Sequence, residues 1–413
     1  MAKMMYIGAD IDSKNITVCF IDELGKKLAK IRQWSNTPTG LEHLIQKSIQ
    51  ICSENEIEEL IIGCEATSVY SFHFLNGLCK DKQLQIFNPK IYQINPRLIH
   101  NFKKTYPDSD KTDYSDAFVI ADRLRFGRLP APYSASSQNH LPLQRLTRHR
   151  FHIVHEINRE KNYLCSQIFL NFSAYHQKKP LSNTLGATSK ALLTEFMTAD
   201  ELAQTDLPTL LKLIVKKGKN RFTDPEDVLN KILAMAKESY RIRPELAKSV
   251  NLVITLTIKN INVLQKILKE LDNAIKEEIK AFPNTLNTVP GIGPVYTAGI
   301  IAEIGDIHRF KKEPQLAKFA GLSWKKRQSS DYTAEETSFS KNSNKYLRYY
   351  LCQAANSLKN NNSEYRKYYG QKYKEALKHK HKRAIILSAR KFYRLVYALL
   401  KSKKMYQLSI IPV

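Results

Sequence analysis

Glycine, proline and clustered cysteines are scarce in this chain of 413 residues. It has 14 glycines, 16 prolines and six scattered cysteines, and it contains neither a CxxC pair nor a Cys/His cluster. The low glycine and proline content is typical of a folded globular protein rather than a disordered or fibrous one. The cysteine pattern argues against a zinc site or a disulfide framework. We therefore expect a globular protein whose thiols stay reduced.

Long apolar runs are also missing. No stretch approaches the ~20 apolar residues of a membrane span, and no charged-then-apolar leader starts the chain. We expect a soluble, cytoplasmic protein. A hydrophobic content of 43% over this length is enough for two or three domains of roughly 100–200 residues each.

Acidic residues are outnumbered: 65 Lys and Arg stand against 39 Asp and Glu, which gives a net charge of +26. Such a charge attracts phosphate backbones, although a merely basic soluble protein is an alternative. The distribution favours nucleic acid, because residues 341–404 carry 18 Lys and Arg and two Glu. Aromatic residues within this segment could offer stacking platforms. These residues are Tyr346, Tyr349, Tyr350, Tyr365, Tyr368, Tyr369 and Tyr373.

Residues 1–135 alternate strand and helix patterns, which predicts an α/β layered domain. Strands are predicted at Tyr6–Asp10, Ile16–Ile21 and Leu60–Cys64. Thr112 is a candidate N-cap for a helix that runs to about Phe126. Further elements expected here are a third strand after Gly25, helices over Thr39–Cys52 and Ser68–Leu78, and a strand over Ile91–Asn95.

The rest of the chain is predicted to be mainly helical. In residues 136–283, apolar residues recur at spacings near 3.5, which indicates a long antiparallel helical hairpin or a coiled-coil dimer seam. Residues 174–225 interrupt this pattern as an inserted subdomain or a mobile loop. Residues 284–413 open with a Gly/Pro turn and end in the basic helices.

Two acidic residues follow predicted strands: Asp10 ends the first strand, and Glu65 follows Leu60–Cys64. Open α/β sheets present their ligands at such strand ends. Asp113 and Asp116 are three residues apart on a predicted helix and so share a face. Four crowded carboxylates would repel one another unless cations neutralise them, and Mg²⁺ or Mn²⁺ prefers such oxygen ligands. A single carboxylate of this kind is more often a surface group or a helix cap, so the prediction rests on the four residues in combination.

A glycine turn, Val289–Pro294, precedes a helix-like segment. The turn resembles a helix–hairpin–helix motif, and its amides could bind a phosphate oxygen through Gly291 and Gly293. A glycine-rich turn between packed helices is the structural alternative.

The chain resembles the bridge-RNA-guided DEDD transposases (recombinases) of bacterial insertion sequences. The resemblance covers nearly the whole chain and rests on several motifs. Its N-terminal motifs are Gly8–Ile11, Cys64–Tyr70, Asn95–Arg97 and Lys111–Ala117. Its C-terminal motifs are Val289–Gly293, Gly305–Ile307 with Phe310, Ala320–Leu322, Gln328–Ser330, Ser340–Lys341 and Asn344–Arg348.

This resemblance implies a RuvC/ribonuclease-H-like domain at residues 1–135, a helical coiled-coil region at 136–283 and a C-terminal transposase domain at 284–413. It implies that Asp10, Glu65, Asp113 and Asp116 hold the metal and that Ser329 is the nucleophile. Ser330 stands where the family has glycine, so that the adjacent serine is a second candidate. The nucleic-acid contacts expected from the motifs are Arg97, Lys111, Gly291, Gly293, Lys341, Lys345 and Arg348.

The resemblance also implies partners: donor and target DNA, a structured guide RNA, and further copies of this chain as a dimer or tetramer. Two rival functions remain open. One is a RuvC-like junction-resolving nuclease, in which the carboxylates activate water. The other is a basic architectural protein that binds nucleic acid without cutting it.

Overall fold

The chain forms two compact units, Met1–Asn139 and His140–Val413. The computed structural model describes residues 3–66, 69–106, 112–133, 139–196, 198–324 and 343–407, and at 328–329 and 332–333 the backbone alone. Among the helices described, none combines the length and apolarity that a membrane crossing requires.

The first unit is built on a mixed five-stranded sheet of order β3-β2-β1-β4-β5, in which β1, β2 and β3 are antiparallel and β4 and β5 run parallel to β1. The predicted α/β layering is confirmed. Its elements are β1 (Met4–Ile11), β2 (Asn15–Ile21), β3 (Arg32–Ser35), α1 (Pro38–Glu54), β4 (Glu59–Glu65), α2 (Ser71–Lys80), β5 (Lys90–Ile94), α3 (Pro96–Lys103) and α4 (Asp113–Phe126).

Both faces of this sheet are covered. Met5 and Ile7 face a core formed with α1 and α2, and Tyr6 and Ile61 face a second core formed with α3 and α4. This alternation follows from the two-residue period of a strand. Gly8 lies on the α4 side, where an added β-carbon would be 2.2 Å from the backbone nitrogen of Ala121. The missing side chain therefore lets α4 lie directly on β1.

The second unit begins with a long helical hairpin. α5 (Leu141–Asn171) and α11 (Pro244–Glu278) pack along each other. Arg150, near the start of α5, forms an ion pair with Asp272 near the end of α11. At the opposite end, the Asn171 amide donates to the carbonyl oxygen of Ala247 at 3.5 Å. The two helices are therefore antiparallel within one chain, as in the first of the two predicted arrangements.

Residues between the two long helices fold into a helical subdomain at the far end of the hairpin. Its apolar side chains, such as Leu192, Ile214 and Met235, share a core with Ile168 of α5 and Ile254 of α11. The helices of this subdomain are α6 (Tyr175–Lys178), α7 (Ala187–Glu195), α8 (Ala199–Gln204), α9 (Leu207–Gly218) and α10 (Pro225–Glu238).

The remaining helices form one core around α12, α14 and α16. α12 begins directly after the glycine turn, and its buried face packs on α14 and on the start of α5. These elements are α12 (Pro294–Ile304), α13 (Glu313–Ala320), the two-residue strands β6 (Gln328–Ser329) and β7 (Tyr332–Thr333), α14 (Lys345–Asn361), α15 (Ser363–Glu375) and α16 (Lys380–Ser402).

Candidate active site

Asp10 and Glu65 lie side by side at the ends of parallel strands. Asp10 is the last residue but one of β1, and Glu65 is the last residue of β4. The parallel register pairs Ala9 with Cys64, so Asp10 and Glu65 are the next pair along. Side chains alternate along a strand, which places both carboxylates on the face of Gly8, the face that α4 covers.

Asp113 and Asp116 occupy the first turn of α4. Thr112 caps this helix as predicted: the Ser115 amide donates to the Thr112 hydroxyl oxygen at 3.2 Å, and the Thr112 amide donates to the Ser115 hydroxyl oxygen at 3.3 Å. The cap fixes where the helix starts, and the positive end of the helix dipole favours carboxylates in that turn.

The four carboxylates act on one another electrostatically. Burial, and then the charges of Asp116, Asp113 and Glu65, raise the pKa of Asp10 from 3.8 to about 6. Burial and the Asp116 charge also raise the pKa of Glu65, against opposing effects of His100 and Lys103. The fold has therefore gathered acidic groups at a cost that a bound cation would relieve.

Lys103 provides part of the missing positive charge. Its ammonium group, at the end of α3, forms an ion pair with Asp116, and both side chains are partly buried. The motifs did not identify this residue, because nothing in the pair Lys103-Lys104 distinguishes the lysine that faces α4.

The donor set fits a divalent cation by its chemistry, since hard carboxylate oxygens are the ligands that Mg²⁺ and Mn²⁺ take. Across the described ranges, however, no three acidic, histidine or cysteine side chains stand in a group that could hold one ion. The side chains of Asp10, Glu65, Asp113 and Asp116 would thus have to converge on the ion, and Asp116 would have to leave Lys103.

Asp122, a third acidic residue of α4, is excluded from this group by its partners. It is 6% exposed. Its carboxylate accepts hydrogen bonds from the Tyr106 hydroxyl and, at 2.6 Å, from Arg125 Nε. Burial and the Asp122 carboxylate raise the pKa of Tyr106 to about 12. We assign Asp122 a structural role in holding α4 to the segment after α3.

For the segment that contains the candidate serine, the structure describes the backbone of Gln328, Ser329, Tyr332 and Thr333. Gln328 pairs with Thr333 and Ser329 with Tyr332 in a short antiparallel ladder. Ser330, Lys111 and Lys341 lie outside the described residues.

A buried ionic network holds the helix that follows this segment. Arg148 of α5 donates to both carboxylate oxygens of Glu303 in α12, at 2.7 and 2.9 Å. The Asn344 amide also donates to Glu303, at 2.7 Å, while its oxygen caps α14 by accepting from the amides of Tyr346 and Leu347. Sequence reasoning missed Glu303, although an acid in an otherwise apolar helix was a usable signal.

Some of the residues predicted to contact nucleic acid are exposed, and others are packed against their neighbours. Arg97 and Lys345 are exposed, and Arg348 is half-buried and donates to the Ser343 hydroxyl oxygen at 3.2 Å. Gly291 has φ +91°, and an added β-carbon would meet Asn361 of α14, whereas one at Gly293 would meet nothing within 4 Å. Gly293 thus faces open space, and Gly291 serves the packing of the turn.

Not all of the proposed aromatic platforms are available for stacking. Tyr350 and Tyr365 are buried at 0% and 2% exposure, because they fill the core between the C-terminal helices. That part of the expectation was wrong. Tyr373 remains exposed, and basic side chains lie over Tyr368 and Tyr369, with Lys391 and Lys359 4.8 and 4.9 Å from the respective ring centres.

Two family models match the chain. A DEDD transposase model of the IS110 type covers residues 7–171, and a model described as transposase IS116/IS110/IS902 family covers residues 284–370. The first match contains the four carboxylates, and the second contains the glycine turn and the serine segment.

Curated relatives come from insertion elements. An uncharacterised 44.8 kDa protein of insertion element IS116 from Streptomyces clavuligerus is 26% identical over 75% of this chain and 76% of its own length. An uncharacterised 42 kDa protein of IS900 from Mycobacterium paratuberculosis is 24% identical over 77% and 78%. The transposase of IS1111A from Coxiella burnetii is 28% identical over 42% and 51%.

Proposed function

Because this chain belongs to the IS116/IS110/IS902 family of insertion-sequence transposases, we propose that it cuts and rejoins DNA with a serine nucleophile and a carboxylate-bound divalent cation. The observation that carries this proposal is the set of acidic groups around Asp10: burial, and then the charges of Asp116, Asp113 and Glu65, raise its pKa to about 6. Clustered carboxylates of this kind can bind a divalent cation, and a protein with net charge +26 attracts the phosphate backbone on which that cation would act.

Asp10, Glu65, Asp113 and Asp116 would hold the cation. When bound, Mg²⁺ or Mn²⁺ polarises a phosphate oxygen and offsets the charge that develops during phosphoryl transfer. Asp10 and Glu65 are fixed by the strand register, and Asp113 and Asp116 by the Thr112 cap. The chain's own contribution is thus to bring two strand ends and one helix start to the same place.

Ser329 is the proposed nucleophile, on the strength of its position in the Gln328-Ser329 motif. Its hydroxyl must lose a proton to become reactive. The new bond joins its oxygen to the scissile phosphorus, the bond to one deoxyribose oxygen breaks, and that oxygen leaves as a hydroxyl after taking up a proton. The phosphoserine link retains the phosphodiester, so a second DNA hydroxyl can displace the serine without ATP.

The proposal includes a structured guide RNA and an oligomer of this chain. The exposed basic and aromatic residues of α15 and α16 support an RNA partner. Leu252, Leu256 and Val263 support self-association, since they recur on one side of α11 and are 59%, 52% and 53% exposed. In such an oligomer the serine and the carboxylates of one active site would come from different copies.

One experiment separates this mechanism from its rivals. The full-length protein is incubated with element-end DNA and Mg²⁺, and the products are run on a denaturing gel. We expect a covalent protein–DNA adduct that is lost in Ser329→Ala and in Asp10→Asn and retained in Ser330→Ala. Cleavage that survives Ser329→Ala but not Asp10→Asn would show a nuclease that uses water. Binding without cleavage under every condition would show an architectural protein.

A further inference from the structure

A cleft of about 480 Å³ lies in the helical subdomain, between the start of α7 and the end of α9. The segment before α7 and the first turn of α7 form one wall, and the end of α9 with the residues that follow it forms the other. Residues that line the cleft include Ser182, Asn183, Gly186, Thr188, Lys217 and Lys219. The family motifs do not reach this region, which lies between the two matched segments.

The wall after α9 is positively charged. Residues 216–221 carry four basic side chains and no acidic one. Lys217 forms an ion pair with Glu195 at 3.1 Å. Lys219 and Arg221 are exposed and have no ion-pair partner in the part of the chain that the structure describes. Two cations at this cleft are therefore free to meet an anionic ligand.

The opposite wall offers hydrogen-bond donors. The first amides of a helix have no partner within it, and the N-cap of α7 is Gly186, which has no side chain to accept from them. The helix dipole adds a partial positive charge at this end. An anion in the cleft would thus meet amide donors on one side and basic side chains on the other.

Thr188 is an independent sign of a ligand. It is 5% exposed and lines the cleft. Its hydroxyl has no hydrogen-bond partner among the residues described, whereas the neighbouring Ser189 hydroxyl is bonded to the Tyr175 hydroxyl at 2.8 Å. Among the described residues, the Thr188 oxygen is not one of the enclosed side-chain atoms that lack a partner, so its hydroxyl is open to the cleft, where a phosphate oxygen would provide the acceptor that it lacks.

We propose that this cleft binds a phosphate group of a nucleic-acid backbone, held by Thr188, Lys219, Arg221 and the start of α7. The subdomain is then a second nucleic-acid contact, separate from the carboxylates and the serine. Its contacts are to phosphate and not to bases, so it adds affinity and fixes register without reading sequence.

The test is the salt dependence of binding, measured with the full-length protein and a fluorescent oligonucleotide. Removing the two charges that hold this phosphate, in Lys219→Gln/Arg221→Gln, should weaken binding about threefold to tenfold at roughly 150 mM salt and reduce the log–log salt slope by about 1. Lys212→Gln removes an exposed charge elsewhere on α9 and should change neither quantity comparably. Equal effects of the two changes would overturn the proposal.

Thr188→Val separates the specific site from general charge. It should weaken binding about twofold to fivefold with an unchanged salt slope. The melting temperature should not fall, because the hydroxyl has no protein partner to lose. Unchanged affinity in this variant would also overturn the site.

The same binding measurements are made with duplex DNA, single-stranded DNA and RNA of one sequence. The nucleic acid whose binding the cleft variants weaken is the one that occupies the cleft. Ser329→Ala changes no charge and should keep the full salt slope while it loses the covalent adduct, so failure of the proposed chemistry and failure of the cleft are distinguishable.

Discussion

Gly8 and Ala121 are in backbone contact: a β-carbon added to Gly8 would lie 2.2 Å from the Ala121 nitrogen and 2.4 Å from the Ala117 carbonyl oxygen. Backbone cannot move aside as a flexible side chain can. The approach of α4 to β1, and with it the approach of Asp113 and Asp116 to Asp10, therefore depends on the absence of one methyl group.

Gly8→Ala should consequently lower the free energy of unfolding by about 1–3 kcal/mol, the usual cost of overpacking a core, and should abolish DNA cleavage. Urea denaturation of the full-length protein measures the first effect. Gly370→Ala is the control, because nothing lies within 4 Å of the added carbon and alanine favours the α15 helix by about 0.5–1 kcal/mol. Wild-type stability in Gly8→Ala would contradict the close packing.

The raised pKa of Asp10 predicts a particular pH dependence. Between pH 3.8 and about 6, the folded chain binds more protons at this residue than the unfolded chain does, so stability falls as pH rises through that window. Asp10→Asn removes the penalty. In a chelator at about pH 7.5 it should raise the free energy of unfolding by about 1 kcal/mol, a value reduced for partial solvent exposure, and the gain should vanish by about pH 4.

Asp12→Asn is the control of opposite sign. Hydrogen bonds from the backbone amides of Lys14 and Asn15 lower the pKa of Asp12, so its loss should destabilise the protein at about pH 7.5. If Asp10→Asn destabilised the protein in the same way, the carboxylate would be a favourable structural group and not a strained one.

Lys103→Gln should change the requirement for metal. Without Lys103, Asp116 loses its ion-pair partner and the acidic group gains a net negative charge. We expect the Mg²⁺ concentration for half-maximal cleavage to fall several-fold, which a metal titration of cleavage measures. Lys104→Gln, at an adjacent exposed position, should leave it unchanged. A higher requirement in Lys103→Gln would show that the lysine supports the metal site and does not compete with it.

Glu303→Gln should destabilise the second unit. It leaves the bidentate Arg148 guanidinium without its counter-charge and weakens the contact that Asn344 makes from the α14 cap. Since Glu303 is buried and Arg148 is partly exposed, we expect a loss of about 2–3 kcal/mol in urea denaturation. Glu277→Gln breaks the exposed pair with Lys280 and should cost at most about 0.5 kcal/mol. Similar losses for both would contradict the network.

The sequence predicted the first unit well where local signals agree with the fold. The apolar runs of β1, β2 and β4 are buried on both faces, and Thr112 is a conventional cap. The positions of Asp10 and Glu65 at the ends of predicted strands were therefore enough to predict that they lie close together in the sheet. α3 was not predicted, although Asn95 caps it and Pro96 begins it.

Other features depend on packing that no local pattern encodes. The pairing of Lys103 with Asp116 requires α3 and α4 to be side by side, and the buried cluster around Glu303 joins residues 148, 303 and 344. The periodicity of α11 also left two arrangements open, since the same spacing serves a hairpin within one chain and a seam between two.

The long hairpin also fixes the distance between its two ends. From Arg148, anchored to Glu303, to Asn171, beside the subdomain, α5 spans roughly 35 Å at about 1.5 Å per residue. One turn of duplex DNA has about the same length, roughly 34–36 Å. A duplex that lay along α5 would therefore make about one turn between Arg148 and Asn171, so residues at these two positions would meet the same side of its backbone.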